Sequence, residues 1–375
     1  MIYLDNAATT LYKPRAVTEA VLRAMRRTAG YARGNHAAAA RAGETVYACR
    51  EAAAALFGVD DPARVVFTMN ATHALNLAIH ALADKDTRVV VGGYEHNAVM
   101  RPLALRGIEP RVAASPLWDG GKMVRELSRA VATGADLVVL NHVSNVFGFA
   151  APLDEIAALL TQKGVPLILD ASQSAGVIPI DVKKYPCLAA VCMPGHKALY
   201  GPQGTGILLA LDDRIAQKPL LAGGTGSVSE ELRQPDFLPD ALESGTPNVP
   251  AIAGLAAGLA FVRAVGPAEF AAHERELMHE MARALGGEPR IECFTGGDQT
   301  GVLSVRVEGA SCETLAEALA AHDIAVRAGL HCAPLAHRTA DTEQTGTIRF
   351  SASFYTTAQQ VERAAMALKQ SVKNL

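Results

Sequence analysis

An apolar run, Leu167-Ile168-Leu169, ends in Asp170, and 27 positions later a second apolar run has closed in Pro194-Gly195-His196-Lys197. One strand, a connection and a second strand fill that spacing. Both charged groups can therefore stand at strand ends on one rim of a sheet, where open α/β sheets bind ligands. An amine and a carboxylate delivered to one pocket suit pyridoxal phosphate chemistry. The Lys197 amine can hold the aldehyde as a Schiff base. The Asp170 carboxylate can keep the pyridine nitrogen protonated, so that the ring accepts electrons. A plain surface lysine after a turn is the competing reading.

Other residues fit the same pocket, each beside a blander reading. Ala71 and Thr72 fall where a strand gives way to a helix. Free N–H groups and a hydroxyl at a helix start bind an anion, though Thr72 can equally be an N-cap. His96, in Tyr94-Glu95-His96-Asn97, follows a strand and offers a flat face to a pyridine ring, or is structural. Asn145 follows another strand and can be a turn residue. Gln173 lies three residues after Asp170 and can be a helix-start residue. Cys332 sits in Arg327-Ala328-Gly329-Leu330-His331-Cys332-Ala333-Pro334. A loop thiol with polar neighbours is reactive if accessible, and a spectator if buried. Adjacent His and Cys are not a usual ligand spacing, so no metal site is expected. Arg349, in Thr347-Ile348-Arg349-Phe350-Ser351, is either a solvated edge residue or an inward clamp for a carboxylate.

The elements that must position these residues alternate. Strands are predicted at Val65–Phe67, Arg88–Val91, Leu137–Leu140, Val165–Leu169, Leu188–Met193 and Ile207–Ala210. Helices are predicted near 72–83, 97–106 and 153–162. This predicts an α/β fold with a mostly parallel sheet covered on both faces. Tyr200-Gly201-Pro202-Gln203-Gly204-Thr205-Gly206 matches neither phosphate-loop pattern and reads as a turn between two elements. Helices are expected at 251–264 and 267–285. Strands at Val302–Val307, Ile324–Arg327 and Thr347–Phe350, with helices near 312–321 and 357–368, follow. The expected division is 1–264 as a large domain and 265–375 as a smaller α+β domain, against which the first residues pack.

Composition narrows the class. The 375 residues carry 35 basic and 38 acidic side chains, which gives no electrostatic reason to expect nucleic acid or an anionic membrane as partner. No apolar stretch is long enough for a bilayer, and the N-terminus does not read as a signal peptide. The six cysteines form no Cys-x-x-Cys pair. A cytoplasmic protein with free thiols is expected.

Taken in order, the motifs resemble the class V aminotransferase family, and within it the SufS-like cysteine desulfurases. Tyr3-Leu4-Asp5-Asn6-Ala7-Ala8-Thr9-Thr10 is similar to the opening motif. Asp170-Ala171-Ser172-Gln173 resembles the Asp-x-x-Gln segment, and Gly195-His196-Lys197 the Schiff-base motif. The Arg327 to Ala333 segment is similar to Arg-x-Gly-His-His-Cys-Ala. Glu243-Ser244-Gly245-Thr246-Pro247-Asn248 resembles the segment whose threonine reaches the cofactor phosphate of the other subunit. The resemblance implies the type I pyridoxal phosphate fold, with a large domain and a smaller C-terminal one, in a homodimer. It implies Lys197, Cys332 and His96 as catalytic residues. It implies a cofactor held by Lys197, Asp170, Gln173, His96, Ala71, Thr72, His196, Asn145 and Thr246, and a substrate held by Arg349 and Asn145. The implied reaction converts L-cysteine to L-alanine with a persulfide on Cys332, which a sulfur-acceptor protein can collect. Selenocysteine lyase, or another class V lyase or aminotransferase, is the alternative. Three positions depart from the pattern. Pro194 replaces a serine, Ala198 is an extra residue in His-Lys-Ala-Leu-Tyr-Gly, and Leu330 replaces the first histidine before the cysteine.

Overall fold

The computed structural model describes residues 1–31 and 34–374. In chain order these form β1 (Ile2–Tyr3), α1 (Arg15–Arg27), α2 (Ala37–Phe57), β2 (Val65–Thr68), α3 (Ala71–Leu82), β3 (Val89–Gly92), α4 (Asn97–Leu105), β4 (Arg111–Ala113), α5 (Gly120–Ala132) and β5 (Leu137–Asn141). There follow α6 (Leu153–Lys163), β6 (Leu167–Asp170), β7 (Leu188–Pro194), β8 (Gly206–Ala210), α7 (Val249–Val265) and α8 (Pro267–Leu285). The remainder is β9 (Ile291–Phe294), β10 (Val302–Val307), α9 (Cys312–Ala321), β11 (Ile324–Ala325), β12 (Arg327–Gly329), α10 (Pro334–Thr339), β13 (Thr347–Ser351) and α11 (Ala358–Lys373).

Seven strands build the main sheet in the order β2-β8-β7-β6-β5-β3-β4. Only β8 runs against its neighbours. The strands read as continuous Val, Ile and Leu because both faces are covered. Successive side chains alternate between two cores. Val66, Val91, Val139 and Ile168 pack under α3 and α4. Val65, Val90, Val138 and Leu169 pack under α2, α5, α6 and α7. In register, Asn141 lies beside Asp170, and Asp170 beside Cys192. The carboxyl ends of β5, β6 and β7 thus form one rim, with Asp170 on it.

The smaller sheet is antiparallel, β12-β13-β10-β9. It packs on α8, α9 and α11 through a third core that also takes in Ile2 and Leu4. The N-terminus belongs here in space, since β1 pairs with β11 in parallel. One strand is predicted over Ile324–Arg327. The chain instead splits there: Ile324–Ala325 joins β1, while Arg327–Gly329 joins β13. Changing sheets at Val326 sets Arg327 opposite Arg349. The helices α1, α2, α5 and α10 and the strands β1, β4 and β9 have no counterpart in the predicted elements. Helix α2 is alanine-rich, and α10 and the strands are short, whereas α1 and α5 carry a clear apolar stripe (Val17, Val21 and Ala24; Met123, Leu127, Ala130 and Val131) that the predicted elements leave out.

Among the described residues no single helix is long and apolar enough to cross a membrane. The apolar α7 is an internal helix with nine buried positions. Its Gly258 lies against the loop that follows Lys197, and a Cβ there would sit on the Leu199 carbonyl oxygen. Backbone cannot move aside as a side chain can. Gly258→Ala is therefore expected to destabilise the fold by roughly 1–3 kcal/mol, the usual cost of overpacking. A thermal melt checks this, and an unchanged Tm would show that the loop gives way freely.

Candidate active site

Asp170 ends β6 with 2% of its surface exposed. One carboxylate oxygen accepts the Ser172 N–H at 2.9 Å. No cationic group lies within ion-pair distance of it among the described residues. Lys197 follows β7 by three residues. Burial pushes its amine down to about 8, opposed by Asp170 and assisted by Arg349 and Arg327. His96 caps α4, its Nδ1 accepting the Ala98 N–H at 3.0 Å, which leaves the ring proton on Nε2. Burial holds its pKa near 4, against the pull of Asp170. The charges of Lys197, Arg327 and Arg349 also act on that ring, so these groups share one neighbourhood.

Cys332 reaches the same place from the far end of the chain. It is the exposed thiol among six free cysteines. His331 and Cys332 both have positive φ, 49° and 57°, a conformation that costs non-glycine residues free energy and clusters at functional sites. Hydrogen bonds from several elements hold this turn, His331 Nε2 lying 3.1 Å from the Thr347 carbonyl and Oγ1. The Asn97 N–H donates to the Cys332 carbonyl at 2.8 Å. Asn145 Nδ2 donates to the His331 carbonyl at 2.9 Å. Arg327 Nη2 lies 3.5 Å from Cys332 Sγ. Arg349 points inward with 1% exposure, which removes the edge-residue reading. Its Nη1 donates to the Asn145 carbonyl at 3.0 Å, and its Nη2 pairs with Asp5 at 2.6 Å.

The remaining predicted residues have these partners. Gln173 Nε2 donates to the Ala7 carbonyl at 3.0 Å, and His196 Nδ1 lies 3.0 Å from Thr9 Oγ1. Ala71 and Thr72 open α3, but Thr72 is not its cap. Asn70 caps it, accepting the His73 N–H at 2.9 Å. The first N–H groups of α3 and the Thr72 hydroxyl are left for another partner. Thr246 is exposed, in a loop that lines a cavity of about 750 Å³ with Asn70, His73 and His196. A buried pair, Arg50 to Glu243 at 2.7 and 2.8 Å, anchors that loop.

The model of the family described as aminotransferase class V matches residues 2–364. The chain belongs to the class V aminotransferase family. A probable cysteine desulfurase of Mycolicibacterium paratuberculosis is 30% identical across 99% of the chain, which spans 55% of that relative's length. A cysteine desulfurase of Escherichia coli is 31% identical across 99% of the chain and 93% of the relative. Among solved structures, a cysteine desulfurase from Thermococcus onnurineus NA1 superposes with a TM-score of 0.89 at 28% identity, covering 100% of this chain and 95% of that one. A cysteine desulfurase from Escherichia coli gives 0.85 at 26% identity, covering 100% and 95%.

Class V enzymes are pyridoxal-phosphate-dependent, and the residues here fit that group. A buried carboxylate with no cation against it needs a proton donor, which a protonated ring nitrogen supplies. The Lys197 amine has no hydrogen-bond partner among the described residues and a pKa near neutrality. The start of α3 offers unpaired N–H groups to a phosphate. Among the described residues, no cluster of three or more His, Cys, Asp or Glu could hold a metal.

Four contributors lie outside the predicted set. Arg327 touches Cys332. Asp5 pairs with Arg349. Lys13 donates to the His196 carbonyl at 2.8 Å. Glu95, fully buried, accepts the N–H groups of Gly92 and Asn141 at 3.2 and 2.9 Å beside Asp170, and burial pushes its carboxyl well up. Its place next to His96 in a strand-end segment is the one signal the sequence offers for it.

Two outcomes are expected. Burial pushes the thiols of Cys49, Cys187, Cys192, Cys293 and Cys312 up, so iodoacetamide at neutral pH should label Cys332 first, as peptide mass mapping would read. Equal labelling of Cys332→Ala would contradict the burial pattern. Only the neutral amine attacks an aldehyde. Capture of pyridoxal phosphate by the apoprotein should therefore speed up with pH and level off above about 8. An ordinary lysine would level off near ~10.4, and stopped-flow absorbance separates the two.

Proposed function

We propose that the chain is a cysteine desulfurase that converts L-cysteine to L-alanine and keeps the sulfur on Cys332 as a persulfide. The observation that carries this reading is the exposed Cys332 on a left-handed turn, tied to Asn145, to the start of α4 and to Arg327. The names of the similar proteins support it. Pyridoxal phosphate, when bound, supplies an aldehyde for Lys197 and a ring that withdraws electrons from the substrate. Asp170 would hold the proton of the ring nitrogen, His96 would cover the ring face, and Gln173 would lie near its phenolic oxygen. The N–H groups of Ala71 and Thr72 would face the phosphate, beside His196.

The chain's own residues do the rest. Arg349 and Asn145 orient the substrate carboxylate by paired hydrogen bonds. Lys197, with its lowered pKa, moves the α-proton as a base near neutral pH. The Cys332 thiolate attacks the substrate sulfur. An S–S bond forms, the carbon–sulfur bond breaks, and its electron pair stays with the carbon, which takes up a proton on the way to alanine. The Arg327 guanidinium donates to the sulfur of Cys332, a charge-assisted contact suited to a sulfur anion. Such covalent catalysis splits one hard bond cleavage into easier steps.

The same reading includes a homodimer. Thr246 is exposed, on a loop that lines the same cavity as Asn70 and His196, open to a second copy's phosphate. It also includes residues 1–264 as the cofactor-binding domain, residues 265–375 as the small domain, a cytoplasmic setting that suits six free thiols, and an acceptor protein that takes sulfur from the exposed Cys332.

With L-cysteine, the protein is expected to form alanine, with sulfane sulfur on Cys332 before reductant is added. Cys332→Ala should lose the sulfane sulfur and slow alanine formation by roughly 10²-fold or more, the scale of a lost catalytic group. Alanine and sulfide at the full rate from that variant would overturn the persulfide role. Parallel turnover of selenocysteine separates a lyase for that substrate.

A further inference from the structure

The carbonyl oxygen of His196, the residue just before Lys197, draws four donors from one short segment. They are Thr9 Oγ1 at 3.3 Å, the Thr10 N–H at 3.2 Å, Thr10 Oγ1 at 3.0 Å and Lys13 Nζ at 2.8 Å. Thr10 Oγ1 also reaches the Lys197 carbonyl at 3.1 Å. A carbonyl oxygen has two lone pairs. Four donors therefore do more than satisfy one peptide group: they fix its direction from several sides.

Lys13 is the odd member of this set. It is half-buried and has no carboxylate within ion-pair distance among the described residues. Among the described residues its ammonium hydrogen-bonds Thr10 Oγ1 and the His196 carbonyl, and burial pushes its pKa down to about 8. A lysine held this way is usually on the surface or paired. The loop has further anchors, such as the Tyr200 N–H to the Lys197 carbonyl and the Phe354 N–H to Tyr200 Oη, but none of them reaches the His196 carbonyl. Pro194 brings no N–H, the Gly195 N–H is committed to the Thr205 carbonyl, and the Gly201 N–H to the Gly195 carbonyl.

The segment that carries Lys13 is itself fastened at its other end. Asp5 pairs with Arg349 at 2.6 Å, Asn6 donates to the Ser351 carbonyl at 2.9 Å, and the Ala7 N–H donates to Ser351 Oγ at 2.8 Å. Residues 5–13 thus run as a strap from the small sheet to the loop of the reactive lysine.

We propose that Lys13 is a positioning residue for Lys197: with Thr9 and Thr10 it locks the His196–Lys197 peptide, and so the direction from which the Lys197 stem enters the pocket. This rests on Lys197 being the cofactor-bearing residue. The test compares Lys13→Met and Lys13→Arg with the unmodified protein, each loaded with pyridoxal phosphate. The absorbance of the lysine-bound cofactor is followed against pH, with kcat and KM for cysteine. Lys13→Met should shift the titration of the absorbance band and lower kcat about tenfold, a modest case of misplacement. KM should stay within about twofold, because the loss falls on the reacting amine and not on substrate binding. Lys13→Arg should restore both readings. A Lys13→Met protein with an unmoved titration and kcat within about twofold of the unmodified protein overturns the proposal. Should Lys13→Met fail to fold, Thr10→Val removes a neighbouring donor to the same carbonyl and is expected to shift the band in the same direction; an unmoved band there also overturns it. An unmodified protein that forms no lysine-bound band overturns the assignment of Lys197 itself, and is told apart by that.

Discussion

A carboxylate buried at a strand end with no cation against it is the constraint on which the rest of this molecule turns. Charge taken out of water is costly unless it is paired or hydrogen-bonded. Among the described residues, Asp170 has one backbone N–H and nothing cationic in contact. The fold holds it there because β5, β6 and β7 run parallel. The β6–β7 register shifts by one residue between Leu167 and Ile168, after which Asp170 lies beside Asn141 and Cys192, and apolar contacts on both faces hold that pairing. A site built this way favours whatever brings a proton to that oxygen. Neighbouring groups are arranged consistently with that demand: a neutral His96, an amine lowered toward neutrality, and a buried Glu95 whose carboxyl is pushed up toward its neutral form.

The second half of the site comes from outside the main sheet. Arg349 and Cys332 reside in the small antiparallel part, yet Asn145 on the main sheet's rim contacts both of their segments. The N-terminal strap closes the circuit, since Asp5 touches Arg349 while Thr9, Thr10 and Lys13 touch the peptide before Lys197. Arg349, Cys332 and Lys197 are therefore linked through hydrogen bonds, several of them buried, and not through the hydrophobic cores, which are separate. The left-handed turn at His331 and Cys332 persists because contacts on three sides over-determine it.

Legibility in the sequence followed continuous apolar runs more closely than periodicity, since the amphipathic α1 and α5 are not among the expected elements. Six of the seven strands of the main sheet are near-continuous apolar runs and are legible to within a residue or two; the exception is β4, a three-residue edge strand that starts with an arginine. Asp170, at the end of such a run, was readable with them. Helices rich in alanine, such as α2, gave no sharp period, and β11 and β12 are too short to separate without knowing their partners. Arg349 illustrates the limit. An arginine in a strand reads equally as solvated or buried, and its inward direction depends on β10 and β12 flanking it. Thr72 as a cap was a reasonable local reading, but Asn70 two residues earlier takes that place because its side chain reaches the His73 N–H.

By itself the sequence determined the types of chemical group, the order in which they occur, and the strand ends that carry Asp170 and Lys197, since these depend on local pattern. Only the tertiary structure decided which groups meet. Cys332 and Asn97 are 235 positions apart in the chain and hydrogen-bonded in the fold, and Lys13 and His196 are related in the same way. Such pairings leave no local trace, because they are set by sheet order, by the packing of two separate cores, and by a strap whose path the side chains along it do not encode.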